Sequence, residues 1–134
     1  MKKGDIIRAR TNAELLNTIL GTRYKQWMRS VYFYDDYSYI WMVKFDDKVR
    51  SGWRNRFCNE YIIEEMVDKS VTKWDNFPLW TMDDKKRYVF EKKDGFFKFL
   101  GIYQLDPDKS NMRDISKPRL RFLQCISDTL DIRI

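Results

Sequence analysis

Histidine is absent from the 134 residues. That excludes His-based nucleophilic triads, zinc deaminase centres and HNH nuclease chemistry from this chain. There are two cysteines, Cys58 and Cys125, far apart and without metal-ligand spacing, so the residues for a zinc site are lacking. Both lie in apolar or mixed strand-like runs and are expected as buried free thiols, which suits a reducing cytoplasm. Long hydrophobic runs are missing too. The longest uncharged, mostly apolar run is Tyr37 to Val43, far short of the ~20 residues a bilayer span needs. The start, MKKGDIIRAR, has two lysines but no apolar h-region, and reads as no signal peptide. No repeat or low-complexity segment stands out. The expectation is a cytoplasmic protein with no membrane partner, metal or cofactor.

What is present is charge and aromatic surface. The net charge is +6, from 26 Lys and Arg against 20 Asp and Glu. A basic excess favours polyanions, nucleic acid first, through the long-range field and counterion release. Aromatic residues reach 16%, with 5 Trp, 8 Tyr and 9 Phe. So many rings are hard to bury in a chain this small, and exposed rings beside cations are equipment for stacking on bases. Hydrophobic residues at 43% and charged residues at 34% describe a globular chain, and the length fits one domain, residues 1–134.

Local patterns outline the elements. GDIIRAR at 4–10 reads as a strand. Thr11 and Glu14 form a T-x-x-E capping box ahead of Leu15, Leu16, Ile19 and Leu20 at helical spacing. Gly21 is a natural terminator, which predicts a helix over 12–20. Two β-rich runs, 27–34 and YIWMVKF at 39–45, flank the turn signal DDYS and predict a hairpin. Residues 50–57 read as a further strand, in which Gly52 marks a bulge or a close backbone approach. Residues 59–66 are expected as a helical turn capped by Asn59, with Ile62, Ile63 and Met66 inward. Residues 67–80, with Trp74, Phe77, Pro78 and Trp80, read as a loop. RYVFEKK at 87–93 and FFKFLGIYQL at 96–105 flank Asp94-Gly95, a strong hairpin signal. Alternation places Tyr88 and Phe90 on one face of the first strand, and Phe97, Phe99, Gly101 and Tyr103 on one face of the second. RLRFLQCI at 119–126 is a final strand. The fold class expected is α+β: a small, mostly antiparallel β-barrel with one or two short helices.

GDIIRAR at 4–10, SGWRNRF at 51–57, RYVFEKKDGFFKFLGIYQLDPDKSN at 87–111 and RLRFLQCISD at 119–128 together resemble PUA-like domains. More narrowly, they are similar to the modified-base readers of SRA/EVE/ASCH type found in bacterial restriction systems, often joined to an HNH nuclease. The resemblance implies an aromatic-lined pocket that holds a base flipped out of the duplex, the cost of flipping being offset by stacking and edge hydrogen bonds. DNA is the implied partner ahead of RNA, with a nuclease subunit or a defence-system protein as a further one. It implies no catalytic motif, and no nuclease domain is present in the sequence.

The candidate pocket residues are Trp53, Asn55, Tyr39, Trp41 and Tyr103, with aromatic faces for stacking and an amide for a Watson–Crick edge. The candidate phosphate holders are Lys48, Arg50, Arg54, Arg56 and Arg29. Segment 44–56 carries Lys44, Lys48, Arg50, Arg54 and Arg56 against Asp46 and Asp47, a local excess of three cations. Plainer roles stand beside these. Trp53 and Asn55 equally suit a half-buried ring at a bulge and an amide bonded to turn backbone. Tyr39, Trp41, Val43 and Phe45 share a parity that suits a core face. Glu91 and Lys93 match the E-x-K end of some metal-dependent nucleases, but Asp83 and Asp84 supply no persuasive second carboxylate. The reading is therefore a non-enzymatic nucleic-acid-binding module that reads a modified or flipped base. The alternative is a stand-alone phage-type inhibitor that blocks a bacterial defence nuclease by protein contact, because a Trp-, Tyr- and Arg-rich interface looks the same in sequence.

Overall fold

The capping box at Thr11 does what its spacing predicts. In the computed structural model, which describes residues 1–50, 52–58, 60–67, 85–111 and 120–132, Thr11 is extended and its hydroxyl oxygen accepts from the Glu14 N–H at 3.2 Å. The Glu14 carboxylate in turn accepts from the Arg10 N–H at 2.6 Å. Helix α1 spans Asn12–Leu20 and ends on Gly21 in the left-handed region, φ 69. It buries Ala13, Leu15, Leu16 and Ile19. Eight strands accompany it among the described residues: β1 (Ile6–Arg8), β2 (Val31–Phe33), β3 (Ser38–Val43), β4 (Trp53–Cys58), β5 (Tyr61–Met66), β6 (Lys86–Lys92), β7 (Phe96–Leu105) and β8 (Leu120–Ser127).

The chain divides into two compact units. The first comprises Met1–Lys44, Lys86–Tyr103 and the residues from Ile126 onward. Here β2 and β3 form the predicted hairpin, β3 pairs in parallel with β6, β6 pairs antiparallel with β7, and β1 also pairs with β7. The helix packs its apolar stripe on Ile40, Met42, Phe90, Phe97, Phe99 and Leu130. All six residues of β3 are buried, so this strand has no solvent face. The Asp94-Gly95 turn joins β6 to β7 as predicted, with Gly95 at φ 80 and the Lys93 N–H donating to the Phe96 carbonyl.

The register of this hairpin slips once. Val89 stands opposite Gly101, but Phe90 stands opposite Phe99, which leaves Leu100 as the extra residue of a β-bulge. Gly101 sits at φ 122, a conformation open to glycine and strained for other residues. A bulge reverses side-chain parity beyond it. Phe97 and Phe99 therefore face the helix, as does Ile102, while Tyr103 aligns with Arg87 on the opposite face. The single face expected for Phe97, Phe99, Gly101 and Tyr103 is split at this point.

The second unit comprises Phe45–Lys85 and Gln104–Cys125. Its strands run in the order β8-β5-β4, all antiparallel. Residues 61–66 are strand, not the helical turn expected. Ile62, Glu64 and Met66 are buried in strict alternation with half-buried Tyr61, Ile63 and Glu65, and two flanking ladders hold the backbone extended. Asn59, the expected cap, lies outside the described residues, as does most of the loop expected at 67–80. Gly52, φ 86, is in a tight turn and not a bulge: Arg50 and Trp53 exchange both backbone hydrogen bonds, at 2.7 and 2.9 Å, around it.

The sheet does not close among the described residues. β2 has β3 as its neighbour and β4 has β5, whereas a barrel gives every strand two partners. The expected α+β composition with mostly antiparallel pairing holds, with one helix; the closed barrel is replaced by an open sheet. Cys58 is exposed and Cys125 half-buried, neither in a disulfide, so the expectation of two buried thiols is not met; Cys58 ends β4 on its outer face.

Candidate nucleic-acid interface

Strand periodicity settles how SGWRNRF is used. Successive side chains of a strand point to opposite faces. Trp53, Asn55 and Phe57 stand opposite Met66, Glu64 and Ile62, the buried set of β5. Arg54, Arg56 and Cys58 stand opposite Glu65, Ile63 and Tyr61 on the other face. The ring and the amide are thus separated from the two arginines meant to flank them.

On the inner face, the Arg121 guanidinium lies 4.7 Å from the Trp53 ring centroid. Its Nη1 is 3.8 Å from Glu64 Oε2, with both side chains nearly out of solvent. Arg121 and Glu64 are register partners across β8 and β5, and Glu64 and Asn55 are register partners across β5 and β4. The Oδ1 of half-buried Asn55 is shielded from water and accepts no hydrogen bond from any described residue. A cation–ring contact, a carboxylate and an uncommitted amide oxygen therefore sit side by side on three neighbouring strands.

On the outer face, Arg54 and Arg56 both donate to the same Glu65 oxygen, at 3.0 and 2.8 Å. Lys109 donates to the Tyr61 hydroxyl at 3.1 Å and covers its ring at 4.4 Å. Arg50 forks onto both oxygens of Asp46 at 2.7 and 2.6 Å. Those hydrogen bonds hold the Asp46 carboxyl well below its usual range. Three of the five expected phosphate holders are thus committed to carboxylates. Lys48 is exposed beside Asp46, and Arg29 is exposed in the first unit, 5.9 Å from the Phe33 ring centroid.

Tyr39, Trp41 and Tyr103 do come together, on the face of the first unit's sheet away from the helix. They gather around Arg87, the register partner of both Tyr39 and Tyr103. Its guanidinium lies 5.4 Å from the Tyr39 ring centroid and 5.0 Å from that of Trp41. All four residues are at most 5% exposed. A buried cation of the protein itself already stacks on these rings.

Sequence reasoning missed Glu64, Arg121 and Arg87. Glu64 was hidden by the helical reading of 59–66. The two arginines were legible only as charges occupying the buried parity of strands, Arg87 with Val89 and Arg121 with Leu123. Glu91, considered for metal chemistry, pairs with Lys93 at 3.1 Å, and no three His, Cys, Asp or Glu side chains gather as metal ligands among the described residues.

An aromatic face, an acceptor pair and a nearby cation are what a planar, edge-hydrogen-bonded ligand needs. The family model of the SET and RING associated (SRA) domain matches residues 1–128. The chain belongs to the SRA domain family. A structure titled the 5-hydroxymethylcytosine-specific restriction enzyme AbaSI resembles this SRA domain with a TM-score of 0.61 at 18% identity, covering 93% of this chain and 39% of its own. At that identity the likeness speaks for the fold, and the SRA domain spans well under half of that protein. No curated protein sequence matches. No helix among the described residues of the SRA domain is long and apolar enough to cross a membrane.

Proposed function

We propose that this SRA domain is a non-catalytic DNA-binding module that holds a modified cytosine, flipped from the duplex, against the inner face of β4, β5 and β8. Family membership supports DNA and a modified base as the ligand class, as does the fold shared with a restriction enzyme named for 5-hydroxymethylcytosine. The observation that carries the assignment of residues is the water-shielded Asn55 carbonyl, without a donor among the described residues, across from the buried Glu64 carboxylate.

Cytosine offers an exocyclic amine as donor, and a carboxylate or amide oxygen is its natural acceptor. The Asn55 amide nitrogen supplies a donor for the acceptors on the same edge. Trp53 supplies a stacking face, and base–aromatic stacking contributes roughly 1–3 kcal/mol, on the scale of the unstacking cost. Arg121 is a positioning residue: it holds the Trp53 ring and the Glu64 carboxylate. Cleavage, where the biology requires it, belongs to a separate nuclease subunit or domain.

The test is binding to matched duplexes carrying cytosine, 5-methylcytosine or 5-hydroxymethylcytosine at two salt concentrations, with an RNA duplex alongside. The expected result is a preference for a modified DNA duplex that survives the higher salt and is lost in Trp53→Ala and Asn55→Ala. Binding that ignores modification and collapses with salt overturns the reading and leaves inhibition of a defence nuclease by protein contact as its successor. Magnesium-dependent cleavage of any duplex, abolished by EDTA, overturns the non-catalytic assignment.

A further inference from the structure

The arginines at 50, 54 and 56 are paired with carboxylates, but two lysines of the first unit meet no carboxylate among the described residues. Lys44 directly follows β3 and Lys92 is the last residue of β6. These strands are parallel and in register, with Val43 opposite Glu91, so both lysines leave the same end of the sheet side by side. Lys92 is half-buried, its Nζ 3.4 Å from Asn12 Oδ1 and 5.9 Å from the Phe97 ring centroid. The Asn12 amide is itself fixed, because its nitrogen donates to the Arg29 carbonyl at 3.1 Å. Neither lysine reaches a carboxylate among the described residues, in contrast to Lys93, which holds Glu91.

Such a pair is unfavourable in the free protein. Burial, and after it the charge of Lys44, pushes the Lys92 ammonium below its ordinary pKa. A ligand that relieves both effects is a polyanion that brings one anionic group to each of the two ammonium groups. The chain's net charge of +6 and the DNA-binding reading above, on which this step rests, select the phosphodiester backbone. An isolated ammonium is a point-charge phosphate ligand. The arginines of 50–56, by contrast, would first have to release Asp46 or Glu65.

We propose that Lys44 and Lys92 clamp one stretch of the DNA backbone, a phosphate-contact site in the first unit that takes over the role expected of Arg50, Arg54 and Arg56. It positions the duplex without reading sequence or modification.

The experiment measures affinity against salt concentration for the modified and unmodified duplexes, using wild type, Lys44→Met, Lys92→Met, the double variant, Lys92→Arg, and Lys2→Met as an exposed control of equal charge. Each direct phosphate contact contributes about 0.9 to the slope of log K against log salt. The double variant is therefore expected to flatten the slope by about 1.8 and to weaken both duplexes by the same factor, with Lys92→Arg retaining the wild-type slope. An unchanged slope, or one that Lys2→Met flattens as much, overturns the proposal. So does a changed ratio between the duplexes. A wild type without modification preference but with the expected slope changes would sink the base-reading proposal and leave this one standing. Acetylation of the wild-type protein gives a readout free of variant folding: saturating duplex should protect Lys44 and Lys92 several-fold and leave Lys2 unchanged. Undiminished labelling of Lys92 overturns the clamp.

Discussion

Arg87 and Arg121 each lie over tryptophan in a β-sheet, in different company. Arg87 serves two rings at once, Tyr39 and Trp41, within a group at most 5% exposed. Arg121 lies over the ring of half-buried Trp53 and shares itself with Glu64. The first cluster has filled its own aromatic surface with a protein cation and behaves as core. The second is only half-buried at Trp53 and Asn55, and the Asn55 Oδ1 accepts no hydrogen bond from any described residue. Of two groups with the same ingredients, the half-buried one is the one that still meets solvent, and so a ligand.

The sharpest way to break this contrast is to truncate the two tryptophans in parallel. Trp41→Ala removes a buried ring from a strand with no solvent face, and should cost about 3–5 kcal/mol in urea unfolding. Trp53→Ala should cost less, about 1–2 kcal/mol, because the residue is only half-buried, while removing modification preference. Equal losses of stability would mean that Trp53 is core and the inner face of the second unit is no site.

The next effect in size concerns the buried ion pair. Arg121→Met strips the Glu64 carboxylate of its neighbouring cation in a place with little water. Breaking such a pair typically costs 3–5 kcal/mol; the 3.8 Å separation puts the expectation at about 3. Adding Glu64→Gln to Arg121→Met should recover part of that stability, since the uncompensated charge is gone, but should not restore base discrimination. A double-mutant cycle on unfolding and on binding separates the two roles. Additive stability losses would show that the pair is not coupled.

How far the sequence could anticipate this depends on which physical rule each residue obeys. The capped helix at 12–20 and both predicted hairpins rest on local rules, capping and turn chemistry, and stand as read. Residues 59–66 do not: Ile62, Ile63 and Met66 satisfy a helical stripe, and only the ladders from β4 and β8 choose the strand, a tertiary choice that short windows do not contain. Tyr103 was placed on the wrong face because one bulged residue, Leu100, reverses parity, and Gly101 was its only local trace. The site was half legible. Trp53 and Asn55 do share a face, as their spacing requires. The same period of two that joins them places Arg54 and Arg56 behind them, and reading all of 50–56 as one surface ignored that alternation. Glu64 and Arg121 were out of reach because their pairing spans 57 positions, a relation that register alone reveals.

Smaller effects belong to the outer face. Glu65→Gln releases Arg54 and Arg56 together, yet all three side chains retain contact with solvent. Exposed pairs of this kind contribute at most about 1 kcal/mol. The expected outcome is a stability change below that and an unaltered ratio of modified to unmodified binding. A change in that ratio would show that the two faces of β4 are coupled, and would undo the separation on which the inner-face assignment depends.

The least effect is expected at Asp46. Hydrogen bonds from Arg50 lower its carboxyl pKa in the folded chain, so its contribution is present above the unfolded value, near 3.9. It is lost as pH falls from about 5 through the lower folded value. Arg50 is 49% exposed and Asp46 35%, and solvent screening keeps the contribution to about 0.5 kcal/mol or less. Urea midpoints of wild type and Asp46→Asn should therefore differ slightly at pH 6 and draw together as pH falls below the unfolded value toward the lower folded one. In DNA binding at neutral pH, Asp46→Asn should do the opposite of what it does to stability: it frees Arg50, removes a negative charge and steepens the salt dependence. If binding stays unchanged when Arg50 is freed, while Lys44 and Lys92 control the slope, the backbone contacts of this domain are made by the lysines at the end of β3 and β6 and not by the arginine-rich turn.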